Sequence, residues 1–177
     1  MPAFFKRCLV AMPLWLCMAM AQAHVTAGDT PPDYLGDTRG GDAIHVSDMH
    51  GKIVVIAFWA SWCQYCQKEL PILASIQKLV SPQQLQVVAI DRDERDTFRE
   101  LSHKLAKVTP NLIYTFDQGP ISKAYGVDGI PYTLLIDRDG KVAYIHTGYG
   151  DGTLDDLADE INGLMAKSTQ KAAPPSS

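Results

Sequence analysis

Ile53-Val54-Val55-Ile56-Ala57-Phe58-Trp59-Ala60-Ser61-Trp62-Cys63-Gln64-Tyr65-Cys66 is the stretch around which the rest of the chain can be read. Its first seven residues are all apolar and rich in β-branched and aromatic side chains, which predicts a strand buried on both faces. Two cysteines follow with two residues between them, and a helix is expected from about Cys63 to Val80. A helix starting near Cys63 points its free N–H groups and its positive dipole end at that sulfur. Those groups favour thiolate over thiol. Lowering a thiol pKa from about 8.5 to about 7 raises the thiolate fraction at neutral pH from a few per cent to roughly half. Cys66 lies one helical turn further on and can close a disulfide with Cys63. The pair reads as a reversible dithiol.

Two plainer readings compete. A zinc site needs about four ligands, and the other cysteines, Cys8 and Cys17, fall in a segment expected to be removed. A purely structural bridge is weak here, because so short a loop constrains the unfolded chain little.

Residues 1–23 have the pattern of an export signal. Lys6 and Arg7 form a basic start, and Cys8 to Met20 an apolar run interrupted by Pro13. That run falls short of the roughly 20 residues needed to cross a bilayer, and Ala21-Gln22-Ala23 is a small-x-small cleavage pattern. The mature chain is expected to begin at His24, with an uncleaved N-terminal anchor as the alternative. Cleavage takes Lys6 and Arg7 away, so the net charge moves from −4 to −6. A mildly acidic domain offers no electrostatic footprint for nucleic acid. Export implies an oxidising compartment, where a dithiol persists only if something keeps it poised.

The remaining length suits a single domain, read here as 33–165. A polar lead, 24–32, precedes it, and a Lys-, Ser-, Ala- and Pro-rich tail, 166–177, follows and is expected to be disordered. A short hairpin-like section should run to Gly51. Further strands are expected at Leu85–Ile90, Asn111–Phe116, Tyr132–Ile136 and Val142–His146, the last two joined by the turn Asp137-Arg138-Asp139-Gly140. Helices are expected within Asp91–Lys107, where Phe98, Leu101 and Leu105 keep helical spacing, and at Ile121–Tyr125 and Leu154–Met165. This alternation argues for α/β layers around a mixed sheet.

Trp62-Cys63-x-x-Cys66-x-x-Glu69-x-Pro71, followed by Gly129-Ile130-Pro131-x-Thr133 and Ile136-Asp137-x-Asp139-Gly140, resembles the thioredoxin superfamily, and within it the exported TlpA-like and ResA-like branch. The resemblance covers roughly residues 32 to 165. It implies a thioredoxin-like fold: a mixed central sheet flanked by helices, with an N-terminal hairpin and a central αβ insertion. It also implies a thiol–disulfide oxidoreductase with Cys63 as the more exposed, attacking cysteine and Cys66 as the resolving one. Trp62, Ile130, Pro131 and Tyr132 would form the substrate-contact surface, with Pro131 in the cis form. For Trp62 and Tyr132, packing is an equal alternative.

Glu69 can also be judged by projection. At about 100° per residue from Cys63, it falls near ~240°, inside the apolar arc of Leu70, Leu73, Ile76 and Val80. A carboxylate there is partly desolvated and should hold its proton more tightly, so that it could exchange protons with the cysteines. A solvated acid aiding the helix dipole is the alternative. Ala57 is a departure, since thioredoxins carry a buried Asp at that position, which adds weight to Glu69. Tyr65 is another, standing where Pro is common in this branch. Pro71 should kink the helix. His45, His50, His103 and His146 lack ligand spacing and read as surface or turn residues.

The reading is an exported, periplasmic oxidoreductase that reduces selected client proteins, with apocytochrome c and copper-site assembly factors as the client types the resemblance suggests. Its partners are expected to be protein thiols or disulfides and a membrane electron donor of the disulfide-reducing pathway. The protein is expected to be a monomer with no cofactor and no resident metal. A disulfide oxidant or isomerase of the same fold, and a copper-binding module using Cys63 and Cys66 as soft ligands, are the alternatives.

Overall fold

The computed structural model describes residues 24–150 and 152–171. The expected signal peptide and residues 172–177 therefore lie outside the described residues. In chain order the elements are β1 (Tyr34–Thr38), β2 (Ala43–His45), a 3₁₀ turn (Ser47–Met49), β3 (Ile53–Trp59), α1 (Cys66–Leu79), β4 (Leu85–Asp91), α2 (Arg95–Val108), β5 (Ile113–Phe116), α3 (Pro120–Tyr125), β6 (Tyr132–Ile136), β7 (Val142–Thr147) and α4 (Thr153–Lys171).

One seven-stranded sheet has the order β2-β1-β5-β4-β3-β6-β7. Strands β3, β4 and β5 are parallel; β6 and β7 join antiparallel on one side and β1 and β2 on the other. Strand β3 sits inside this order because it is apolar on both faces, and every residue of it is buried. Its side chains alternate between two cores. Ile53, Val55, Ala57 and Trp59 face a cluster with Leu70 and Leu73 of α1, Phe98 of α2 and Leu157 and Ile161 of α4. Val54, Ile56 and Phe58 face a second cluster with Leu35, Ile121, Tyr125 and Leu134. Truncating a fully buried member such as Leu73 or Leu135 to Ala should cost about 2–5 kcal/mol.

Gly36 shows how tightly β1 lies on β5. Its φ is +101°, and a Cβ there would stand 2.7 Å from the Phe116 carbonyl oxygen. Only glycine fits without backbone movement.

The structure differs from the sequence expectation at several ends. Helix α1 starts at Cys66 rather than near Cys63, because Cys63 belongs to the turn after β3, with its N–H donating to the Ala60 carbonyl at 3.1 Å. Helix α4 runs past Met165 to Lys171, into the stretch read as a disordered tail. The polar lead is tied to the fold. Gly28 N–H donates to Val142 O at 2.8 Å and Val142 N–H to Asp29 O at 2.9 Å. Lys141 Nζ reaches Thr30 Oγ1 at 2.7 Å. His24 lies so close to Gly126 that a Cβ on that glycine would meet its Nδ1 at 2.6 Å.

Candidate active site

Cys63 and Cys66 are joined by a disulfide with Cα atoms 5.3 Å apart. The turn that presents them is fixed from the neighbouring strand. Asp93, just beyond β4, accepts the Ser61 N–H at 2.6 Å and the Ser61 hydroxyl at 3.0 Å on its two carboxylate oxygens. Arg92 N–H donates to Trp59 O at 2.9 Å, so both sides of the β3–α1 turn are held. At the other end, Gln67 N–H donates to Cys63 O at 3.1 Å and Cys66 N–H points at Cys63 Sγ at 3.2 Å. The helix end therefore still serves the first sulfur, through the amide of the first α1 residue rather than through a helix containing Cys63. Cys63 is 6% exposed and Cys66 1%.

Around this pair the side chains divide sharply. Trp62 is 69% exposed, so it is not a core residue. Tyr65, also exposed, stacks on Tyr149 with ring centroids 5.0 Å apart and planes 17° apart. Lys68 Nζ lies 5.3 Å from the first ring centroid and 5.8 Å from the second, a cation–π arrangement. Tyr149 and Lys68 are additions that spacing along the chain does not reveal. Tyr132, by contrast, is buried with its ring edge-on to Phe58 at 6.1 Å, the packing arrangement.

The Ile130–Pro131 bond is cis. Gly148 N–H donates to Pro131 O at 2.8 Å, which fastens the segment carrying Tyr149 to the proline loop. Ile130 packs against the buried cluster that contains both cysteines. Its own N–H and C=O have no intramolecular partner among the described residues. Ile130 and Tyr132 line a concavity of about 510 Å³ together with His24, Val25 and Gly129.

Glu69 is 5% exposed, on the face of α1 shared with Cys66, Leu70 and Leu73. Thr133 Oγ1 donates to its Oε1 at 2.6 Å. Burial pushes the Glu69 carboxyl above its ordinary value, while the Thr133 hydrogen bond and the nearby His146 pull the other way. His146 corrects the surface-or-turn expectation: it lies half-buried in β7, and its Nε2 is 2.6 Å from Glu160 Oε2 of α4. His45 fits that expectation as a partly exposed residue of β2, 3.2 Å from Asp33.

A second buried carboxyl, Asp91 at the end of β4, is not distinguishable in the sequence from its charged neighbours. It is 0% exposed, and burial raises its pKa to about 7. Its Oδ1 accepts the Asp93 N–H at 2.8 Å. Among the described residues no three His, Cys, Asp or Glu side chains gather closely enough to hold a metal ion, and no helix is long and apolar enough to cross a membrane.

The arrangement can carry out dithiol–disulfide exchange: a sulfur pair at a helix end, a buried carboxyl one turn away, and exposed aromatic rings beside it. Residues 27–145 match the AhpC/TSA family. The chain is similar to the thiol-disulfide oxidoreductase ResA of Geobacillus thermodenitrificans, 31% identical over 125 residues that span 70% of this chain and 71% of that one. It is 28% identical to ResA of Bacillus subtilis over 141 residues, 80% of this chain and 78% of that one. A Chlorobium tepidum structure described as a thiol:disulfide interchange protein DsbE superposes with a TM-score of 0.70 at 31% identity, covering 80% of this chain and 99% of its own. The mixed sheet with flanking helices is thus a thioredoxin-like fold, and the chain belongs to the AhpC/TSA family as a thiol-disulfide oxidoreductase of the ResA/DsbE type.

Proposed function

We propose that the protein works in the periplasm after signal cleavage, as a monomer that reduces disulfides in selected client proteins and is itself recharged by a membrane electron donor. The family resemblance supports the direction and the client types, apocytochrome c and copper-site assembly factors. The observation that carries the reading is the exposed aromatic and backbone surface beside a buried dithiol. Trp62, Tyr65 and the unpartnered backbone of Ile130 suit an extended client segment that adds on as a short strand.

In the reduced protein, Cys63 attacks a client disulfide as thiolate. One client sulfur leaves with its bonding electron pair, and a Cys63–client disulfide forms. Cys66 then loses its proton to the Glu69 carboxylate and attacks Cys63 Sγ, releasing the second client sulfur as thiolate. The Cys63–Cys66 disulfide that remains is the state described above. Glu69 holds the proton that must leave before Cys66 can act.

Trapping tests this reading. Cys66→Ser should accumulate client mixed disulfides through Cys63, and Cys63→Ser should accumulate few. Equal trapping by both variants would remove the assigned roles. Loss of cytochrome c or copper-site assembly in a deletion strain, restored by the wild-type chain only, would identify the pathway.

A further inference from the structure

A row of register partners crosses three strands, polar at its β6 and β7 positions on an otherwise apolar face. The pairs Ala57↔Thr133 and Thr133↔His146 put Ala57 of β3, Thr133 of β6 and His146 of β7 directly opposite one another. Opposed residues of antiparallel strands share a face, with Cβ atoms about 5 Å apart. That face also carries Leu135 and is covered by Leu70 of α1 and by Leu157 and Ile161 of α4. Each covering helix sets one carboxylate on the row. Glu69 of α1 takes the Thr133 hydroxyl, and Glu160 of α4 takes His146 Nε2, both at 2.6 Å.

Burying such groups is unfavourable unless each finds a partner, and here every one does. The pairing has a direction. Glu160 Oε2 lies 2.6 Å from His146 Nε2, an ion pair whenever the ring is protonated. The positive charge of that pair would sit on the strand row next to Thr133, and the negative charge on α4. Groups facing Glu69 can be named element by element: the uncharged Ala57 from β3, the Thr133 hydroxyl from β6, His146 from β7, Glu160 of α4 behind His146, and the cysteine pair at the start of its own helix. His146 is the one group among them able to carry a positive charge.

We infer that the His146–Glu160 pair is a positioning element for Glu69, placing an ionisable imidazole beside this carboxyl that helps it release its proton between turnovers. The inference rests on the proposed role of Glu69 as proton acceptor for Cys66. Desolvation raises the Glu69 pKa, and the Thr133 hydroxyl and the nearby His146 lower it. With His146 charged, the carboxylate is accessible, takes the proton from Cys66 Sγ as that sulfur attacks Cys63, and later returns it to solvent.

The experiment uses the full mature chain, with alkylation rates of Cys66 and the carboxyl carbon shift of Glu69 followed from pH 5 to pH 9. His146→Gln should move both titrations to higher pH by about one unit, reducing Cys66 reactivity near neutrality by up to tenfold. Glu160→Gln keeps a hydrogen-bonding side chain but removes the counter-charge beside His146, and should move them the same way by less. Thermal melts of both variants check that the fold persists. In a Glu69→Gln background, His146→Gln should change the cysteine profile no further. Wild-type titrations in His146→Gln, alongside a shifted profile in Glu69→Gln, would overturn the inference and leave Glu69 its role. An unchanged profile in Glu69→Gln would overturn both. A shift by His146→Gln in the Glu69→Gln background would also overturn the inference, because His146 would then act on the dithiol directly.

Discussion

Trp59 and Asp91 are register partners at the carboxyl ends of β3 and β4, and each carries a buried polar atom without a partner, Trp59 Nε1 and Asp91 Oδ2. Asp91 is a buried acid with its pKa raised to about 7 by desolvation, against an ordinary value of 3.8. The folded state therefore keeps a proton that the unfolded chain releases between those two values. Stability from this group is fully present below about pH 4 and is lost as pH rises to about 7, on the order of a few kcal/mol. Asp91→Asn keeps the acceptor for the Asp93 N–H and removes the titration. Its melting temperature should exceed that of the wild type at pH 8 and show a smaller decline from pH 5 to pH 8. Parallel pH–stability curves for the two proteins would contradict the neutral acid.

Among the described residues, Thr133 is the only hydroxyl bonded to Glu69. Thr133→Val removes a buried hydrogen bond and leaves one carboxylate oxygen unpartnered, a change worth about 1–3 kcal/mol. Since the bond holds the Glu69 pKa down, its loss should raise that pKa further, which a carboxyl carbon titration measures directly. A loss of stability without any movement of the Glu69 titration would show that Thr133 serves packing alone.

The stack of Tyr65 on Tyr149, with Lys68 over both rings, is expected to shape client encounter rather than dithiol chemistry. Tyr149→Ala should lower kcat/KM for a protein disulfide several-fold and leave the rate with a small aromatic disulfide within twofold. Lys68→Glu should lower it most for clients with acidic residues beside the cystine. Equal losses on small and large disulfides would point to a damaged dithiol instead.

Gln77 clamps the start of β4, where β5 has not yet begun to pair. Its Oε1 accepts the Val87 N–H at 2.7 Å and its Nε2 donates to Leu85 O at 2.9 Å. Gln77→Leu fits the apolar surroundings but leaves two buried backbone groups unsatisfied, so urea unfolding should show a loss of about 2–4 kcal/mol.

The elements readable from sequence are those whose signals are local. The run Ile53–Trp59 announces a buried strand by itself, and the CxxC spacing with an acid three residues on announces Cys63, Cys66 and the buried face of Glu69. Residues such as Thr133, His146 and Asp91 are ordinary in their local sequence. They become special only because β6 pairs with β3, β7 pairs with β6, and the end of β4 stops beside Trp59. That register is a long-range property, and no local pattern carries it. The start of α1 misleads for a related reason. Cys63 already sits in a turn held by Ala60 and Asp93, so the helix begins a turn later than periodicity alone suggests.

The docked lead distinguishes the two ends of strand β6. His24 shares the concavity of Ile130 and Tyr132, whereas Arg138 in the β6–β7 turn reaches the sulfur of Met165 at 3.7 Å, near the far end of α4. Strand β6 separates these two places by roughly 16 Å. A lipid, tag or fusion attached ahead of His24 would crowd the concavity that Ile130 and Tyr132 line, and a short anchor there would turn that concavity toward the surface holding it. For immobilised electrodes, sensor chips or affinity baits, a carboxyl-terminal handle is therefore the one expected to leave the proposed client surface at Ile130 uncrowded.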